Sequence, residues 1–252
     1  MRSACLLVAA MASVFSPFAF AAAPLPVKVL FIGDSLSVGG FGDGMQASLL
    51  GKYGPRQVAI YASCGSSPED WIKGGFVTPC GYRQTTPARS FLHEYRDGVR
   101  PHPVKTPALR TVLGHYRPQM VIVQLGTNWM DALAETSHPD ATGYRRIISD
   151  FVRQLQRANP AVEIFWVLPP ASSKYPARVH KEVENWINEA SRKLNFHTIN
   201  SRRITGPYRA GKSGGDGVHY TDEGGRAWAR GVYAKFAAAA KSFALAQPPA
   251  RP

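Results

Sequence analysis

The sequence has few of the features that mark metal sites or membrane spans. It has only three cysteines and seven histidines in 252 residues, and these show no paired spacing typical of metal ligands. Beyond residue 22, no apolar run approaches the roughly 20 residues that a membrane-spanning helix needs. Acidic residues are also scarce, with 17 Asp and Glu against 30 Lys and Arg. We therefore expect no bound metal and no spanning helix in the body of the chain.

The first 22 residues have the pattern of a secretory signal peptide. Arg2 supplies the positive start, residues 4–20 are mainly apolar, and Ala19-Phe20-Ala21 has the small-x-small form of a cleavage site. The alternative, an uncleaved anchor, is less suitable because the stretch is short and interrupted by Ser13, Ser16 and Pro17. This pattern predicts that the mature protein is periplasmic or secreted.

Export affects how the cysteines are interpreted. Cys5 would be lost with the signal peptide, which leaves Cys64 and Cys80 in the mature chain. An oxidising compartment favours a disulfide between them, and two separate buried thiols are the alternative.

The formal net charge of +13 indicates which partners to expect. A basic surface favours anionic surroundings such as a cell-envelope polymer, an acidic polysaccharide or a membrane surface, although scattered basic residues also simply solvate a protein. No nucleic-acid-binding motif is present, so we expect no nucleic acid partner.

Short apolar runs alternate with helical patterns along the chain. Helices are predicted around Ile147 to Leu155, from about Arg178 to Leu194, and from a cap at Thr221 or Asp222 through Phe236. The predicted strands are Val27 to Ile32, Gln57 to Tyr61, Met120 to Leu125, Glu163 to Leu168 and Phe196 to Asn200. This alternation predicts an α/β fold whose parallel sheet is covered on both faces, with functional residues at the carboxyl ends of the strands.

We expect a single domain over residues 25–243, followed by a disordered tail over residues 244–252. Residues 66–107 are rich in Gly, Pro and Arg with little periodicity. That composition predicts a long irregular insertion.

Four short segments carry residues suited to acyl chemistry. Ser35 ends the strand-like run 27–35, which places its hydroxyl as a candidate nucleophile. His219 follows Asp216 at a spacing that lets the carboxylate orient the imidazole as a base. The Asn128 amide and the Gly65 backbone N–H follow two other strands and can donate to an oxyanion.

In this order the segments resemble the four sequence blocks of the SGNH, or GDSL-type, hydrolase family. The blocks are Gly33-Asp34-Ser35-Leu36-Ser37, then Gly65, then Gly126-Thr127-Asn128, then Asp216-Gly217-Val218-His219. The resemblance implies a flavodoxin-like three-layer α/β/α sandwich without metal or cofactor. It implies that Ser35, His219 and Asp216 are nucleophile, base and orienting acid, and that Ser35, Gly65 and Asn128 form the oxyanion hole. Trp129 stands where the family often has an aspartate.

The resemblance predicts an exported carboxylic ester hydrolase that removes short acyl groups, such as acetyl, from a carbohydrate or another small ester. Trp71 and Trp129 could stack on a sugar substrate, or could simply pack in the core. An acyltransferase to a glycan hydroxyl and a non-catalytic glycan-binding protein are the alternatives. The Cys64 neighbour of Gly65 suggests that a disulfide restrains the loop that presents this donor.

Overall fold

A computed structural model describes residues 26–94, 102–137, 139–205 and 215–246. The predicted signal peptide and the residues after Ala246 lie outside the described residues. Seven strands form one sheet; they are β1 (Val29–Gly33), β2 (Val58–Ser63), β3 (Gly81–Thr85), β4 (Ser90–Glu94), β5 (Met120–Gln124), β6 (Glu163–Val167) and β7 (His197–Ile199). The helices are α1 (Ser35–Val38), α2 (Gly40–Tyr53), α3 (Pro68–Lys73), α4 (Leu109–Tyr116), α5 (Met130–Glu135), α6 (Ala141–Ala158), α7 (Ala177–Leu194), α8 (Arg202–Thr205) and α9 (Asp222–Ala246). Short 3₁₀ turns occupy Pro55–Gln57 and Thr127–Trp129.

The strand order across the sheet is β4-β3-β2-β1-β5-β6-β7. Five strands, β2, β1, β5, β6 and β7, are parallel to one another. All five lie within about two residues of their predicted positions. Because β1 lies between β2 and β5, the loops that follow these three strands meet at one edge of the sheet.

The sheet separates two apolar layers, as expected for a three-layer α/β fold. Within β1, Leu30 and Ile32 face the core formed with α3 to α7, whereas Val29 and Phe31 face the core formed with α2 and α9. This alternation follows from the period of two in a strand. The parallel sheet covered on both faces is therefore confirmed.

The segment predicted to be an irregular insertion is partly regular. It contains α3, and β3 and β4 form an antiparallel hairpin that extends the sheet beyond β2. The sequence Gly81-Tyr82-Arg83-Gln84-Thr85 does not alternate apolar and polar residues, so the local pattern does not predict a strand. Arg83 and Thr85 are nevertheless buried, because hydrogen bonds to other side chains satisfy their polar atoms.

The last helix begins as predicted and ends later than predicted. The Thr221 hydroxyl accepts the Gly224 N–H at 3.1 Å, which identifies Thr221 as the cap. The helix reaches Ala246, beyond the predicted domain end at residue 243, because its alanine-rich end has high helix propensity. Among the described residues, no helix is both long and apolar enough to cross a membrane.

Candidate active site

Ser35 is the first residue of α1, and only Asp34 separates it from the end of β1. The Asp34 side chain caps this helix by accepting the Leu36 N–H at 3.0 Å. Gly33 is required at the strand end, because a Cβ at this position would lie 2.1 Å from the Ser37 hydroxyl. Among the described residues, the Ser35 backbone N–H has no hydrogen-bond acceptor, so it is free to bind an incoming group.

A continuous line of hydrogen bonds joins Ser35, His219 and Asp216. The His219 Nε2 lies 2.8 Å from the Ser35 Oγ, and its Nδ1 lies 2.6 Å from an Asp216 carboxylate oxygen. Since the carboxylate can only accept when ionised, Nδ1 donates to it and Nε2 is left to accept the serine hydroxyl proton. This arrangement can transfer a proton away from Ser35.

The turn between Asp216 and His219 fixes the acid. The other Asp216 oxygen accepts the backbone N–H groups of Val218 and His219, both at 2.8 Å. Partial burial by itself would raise the pKa of Asp216, but hydrogen bonds from the His219 side chain and from these N–H groups bring the pKa below its usual value. Asp216 is therefore held as the carboxylate that His219 needs.

The loop that follows β6 supports this turn from outside. The Gly217 carbonyl accepts the Ser172 hydroxyl, and it also accepts the Ser173 N–H at 3.0 Å. The Tyr220 hydroxyl donates to the Ala171 carbonyl at 2.9 Å. Gly217 has a φ of +77°, a conformation that side-chain-bearing residues rarely adopt. Hydrogen bonds to a neighbouring loop therefore hold the turn that carries His219 in place.

The other two predicted donors lie on the loops beside Ser35. Gly33 pairs with Ala62 of β2 and Gln124 of β5, so Gly65 and Asn128 follow at the same edge of the sheet. Gly65 has a φ of +82°, and its N–H has no acceptor among the described residues. One N–H of the Asn128 amide donates to the Ser66 carbonyl at 2.8 Å, which leaves the second free.

The Cys64–Cys80 disulfide is present, with a Cα–Cα distance of 5.5 Å. It joins the loop before Gly65 to the start of the β3 hairpin. Backbone contacts reinforce this connection, because the Cys64 N–H donates to the Gly81 carbonyl at 2.9 Å and the Thr78 hydroxyl donates to the Cys64 carbonyl at 3.2 Å. The prediction that the disulfide restrains the Gly65 donor is compatible with these contacts and stays a prediction.

Neither tryptophan considered for sugar stacking is available for it. Trp71 is fully buried and donates to the Ser66 hydroxyl at 3.0 Å. Trp129 is 3% exposed, donates to the Glu69 carboxylate and packs against Tyr144. Both rings pack in the core, because their apolar area is removed from water while each N–H finds an acceptor.

Sequence reasoning missed a buried polar cluster behind Ser35. The Gln124 side-chain oxygen accepts the Ser37 hydroxyl at 2.6 Å, and Gln124 and Thr127 contact the Asp34 carboxyl group. Burial raises the pKa of Asp34 to about 6, although the Leu36 hydrogen bond, the nearby polar groups of Gln124 and Thr127 and the charge of His219 oppose this rise. A glutamine that ends an otherwise apolar strand was the available signal.

Arg83 is a second missed residue. Its guanidinium is almost fully buried and donates to the Val38 carbonyl at the end of α1, to Asp43 and to Gln46. The edge hairpin is thereby attached to the helix that begins with Ser35. No local pattern marks an arginine in a short polar strand for this role.

A sequence profile of the GDSL-like lipase/acylhydrolase family matches residues 31–227, an interval that contains Ser35, Gly65, Asn128, Asp216 and His219. The chain belongs to this family. It is therefore a carboxylic ester hydrolase, and the predicted family resemblance is confirmed. No curated protein sequence gave a significant match.

Solved structures of GDSL-type enzymes share the fold of this family member. A peptidoglycan O-acetylesterase aligns with a TM-score of 0.54 and 15% identity, over 86% of this chain and 92% of its own. The esterase EstA from Pseudoalteromonas aligns with a TM-score of 0.56 and 16% identity, over 84% and 98%. A family two carbohydrate esterase from Clostridium thermocellum aligns with a TM-score of 0.52 and 17% identity, over 85% and 64%.

Proposed function

We propose that this hydrolase is an exported serine esterase that removes acetyl or similarly short acyl groups from a carbohydrate. The observation that carries the proposal is the hydrogen-bonded line from Ser35 through His219 to Asp216, with unengaged N–H groups beside the serine. A nucleophile, a base and an orienting acid are the parts that acyl transfer to serine requires.

The first half of the cycle forms an acyl-enzyme. The Ser35 Oγ attacks the ester carbonyl carbon while its proton passes to His219 Nε2. The carbonyl oxygen becomes an oxyanion, and it accepts hydrogen bonds from the Ser35 and Gly65 N–H groups and the Asn128 amide. The bond to the leaving oxygen then breaks, and His219 returns the proton to the departing alcohol.

The second half releases the acid. Water attacks the acyl carbon, and its proton passes to His219 Nε2. The second tetrahedral intermediate collapses, the bond to Ser35 Oγ breaks, and the serine regains its proton from His219. Throughout both halves, Asp216 holds the imidazole in position and stabilises its positive charge.

A short acyl group suits the space beside the serine. The small hollow that adjoins Ser35 and His219 is lined by Gly39, Phe41 and Tyr220. The rings of Phe41 and Tyr220 and the backbone of Gly39 leave little depth in this hollow for a long alkyl chain. The carbohydrate part of the proposal is supported by structural neighbours named as a peptidoglycan O-acetylesterase and a carbohydrate esterase.

Export is supported by the N-terminal pattern and by the disulfide. Disulfides form and persist mainly outside the reducing cytosol, and the Cys64–Cys80 bond ties together two loops at the site. Finding the protein in the cytoplasmic fraction, with residues 1–22 retained, would contradict this part of the proposal.

The test compares hydrolysis of a short-chain aryl ester by the wild type and by two variants, Ser35→Ala and His219→Ala. We expect each substitution to lower kcat by at least about 10³-fold. Ser48→Ala and His115→Ala are the matched controls, because both residues lie away from the site and should leave turnover unchanged.

Acetylated glycans in the same assay address the substrate. Release of acetate from an acetylated polysaccharide, lost in Ser35→Ala, is the expected result. Undiminished activity in Ser35→Ala would refute the mechanism, and transfer of acetyl to an added glycan in preference to water would show an acyltransferase instead.

A further inference from the structure

A groove with arginine side chains lies between α4 and α6, far from the catalytic edge. Arg110 of α4 and Arg117, which follows the end of α4, line one side, and Arg157 of α6 lines the other; all three are exposed. Both helices lead into the amino-terminal ends of strands β5 and β6, whereas Ser35 follows the carboxyl end of β1. The groove and the serine therefore occupy opposite edges of the sheet.

Within the described part of the chain, no carboxylate neutralises the three groove arginines. Five other described arginines do pair with acids; these pairs are Arg83 with Asp43, Arg145 with Glu189, Arg178 with Glu182, Arg202 with Glu184, and Arg226 with Asp43 and Asp222. Asp150 is the nearest acid along α6, and it lies two turns before Arg157 and does not line the groove. The groove thus presents uncompensated positive charge.

Helix stability accounts for only part of this charge. Arg117 and Arg157 stand at the carboxyl ends of α4 and α6, where a cation interacts favourably with the helix dipole. Arg110 stands in the first turn of α4, where a cation is unfavourable and no acidic residue is present. An unpaired arginine at this position has no local structural benefit.

We propose that this groove binds an acidic polysaccharide chain, as a second carbohydrate site separate from the catalytic one. The choice of a glycan rests on the proposed function, and the choice of an acidic one rests on the three guanidinium groups, which bind carboxylate or phosphate groups bidentately. Arg110 and Arg117 are seven residues apart, about 10 Å along the helix. That separation suits successive charges of a polymer better than one small anion.

The surface between the arginines also suits a sugar chain. Gly114 leaves the centre of the groove open, since even a Cβ at this position would have no other group within 4 Å, and Ile72 and Leu113 give an apolar floor for the C–H face of a ring. The Gln154 amide can bind hydroxyl groups. No aromatic ring is among the lining residues, so bases of a single-stranded nucleic acid would find no stacking partner.

A membrane surface is a poorer match. Peripheral membrane binding needs exposed apolar side chains that enter the interface. The exposed large hydrophobic residues of the described chain are Val77 and Leu92, and neither lines the groove.

The test measures binding of polygalacturonate and of neutral dextran to the wild type by calorimetry at about 50 mM and about 200 mM salt. The groove variant is Arg110→Gln with Arg157→Gln, which removes one charge from each side of the groove and leaves Arg117, the residue that follows the end of α4, in place. The control variant is Arg192→Gln with Arg230→Gln, which removes the same charge from exposed positions elsewhere.

We expect the wild type to bind polygalacturonate above dextran, with binding weaker at high salt. The groove variant should lose roughly tenfold in affinity, equivalent to about 1.4 kcal/mol, while the control loses less than about threefold. Equal losses in the two variants would overturn the proposal in favour of diffuse attraction. Absence of selective polygalacturonate binding, or stronger binding to anionic vesicles or single-stranded DNA, would also overturn it.

Turnover of the aryl ester separates this proposal from the catalytic one. Both arginine variants should hydrolyse that small substrate as the wild type does, because neither pair of residues approaches Ser35. Normal ester hydrolysis without polymer binding would refute the groove alone, whereas polymer binding without ester hydrolysis would refute the esterase mechanism alone.

Discussion

The Asp34→Asn substitution is expected to remove a pH-dependent loss of stability. Asp34 is fully buried, and burial raises its pKa from the ordinary 3.8 to about 6. In the unfolded chain the carboxyl group returns to water and to its ordinary pKa. The folded state therefore binds this proton more tightly than the unfolded state does, and the proton stabilises the fold wherever both states can hold it.

The size of the effect follows from the two pKa values. Stability from this group is fully present below about pH 4, falls as the pH rises towards 6, and stays low above that. The two pKa values differ by about 2, and each pH unit corresponds to about 1.4 kcal/mol, so the wild type should lose about 3 kcal/mol across this interval. An asparagine cannot ionise, yet its side-chain oxygen can still accept the Leu36 N–H that Asp34 now accepts.

The assay is urea unfolding of both proteins between about pH 4 and about pH 8. The free energy of unfolding of Asp34→Asn, relative to the wild type, should rise by about 3 kcal/mol from the acidic to the neutral end. Asp150→Asn on the exposed face of α6 is the matched control, and it should show no such trend. A difference between Asp34→Asn and the wild type that does not change with pH would refute the reasoning.

Three further substitutions test the site and its supports. Asn128→Ala should lower kcat by about 10²-fold or more with little change in KM, because one oxyanion donor is lost. The control Asn159→Ala removes a similar amide-to-carbonyl hydrogen bond elsewhere and should leave kcat unchanged. Equal effects of the two substitutions on kcat would contradict the role assigned to Asn128. Arg83→Met should lower the free energy of unfolding by about 3 kcal/mol, since the Val38 carbonyl and Asp43 lose a buried donor; a loss below about 1 kcal/mol in urea unfolding would contradict this. Cys80→Ser should lower the unfolding free energy by about 3 kcal/mol, and unchanged kcat in the folded variant would show that the disulfide does not position Gly65.

The parallel sheet and the residues at its edge could be predicted because each depends on a local pattern. β1 is an apolar run and β5 is apolar up to Gln124, and the polar residues Ser35 and Asn128 follow these strands within a few positions. The alternation of strands with helices then places both loops at the same edge. Asp216 and His219 could be paired for a similar reason, because they are only three positions apart and one turn of the chain brings their side chains together.

The β3 hairpin and the polar cluster could not be predicted, because both depend on tertiary contacts. Thr85 is buried through a hydrogen bond to Gln46 of α2, which is 39 positions away in sequence. The Ser37 hydroxyl reaches Gln124 over 87 positions. A polar residue in such a place has the same sequence signature as one exposed to solvent, so burial becomes visible only when the partner element is in place.

The β3–β4 hairpin connects, through Asp43, to the helices that adjoin Ser35 and His219. This aspartate of α2 accepts Arg83 from β3 through one oxygen and accepts Arg226 from α9 at 3.1 Å through the other. Helix α1 begins with Ser35 and ends at Val38, whose carbonyl also accepts a hydrogen bond from Arg83. Helix α9 begins three residues after His219. A segment whose sequence looked irregular therefore helps to fix the separation between α1, which begins with Ser35, and α9, which follows His219.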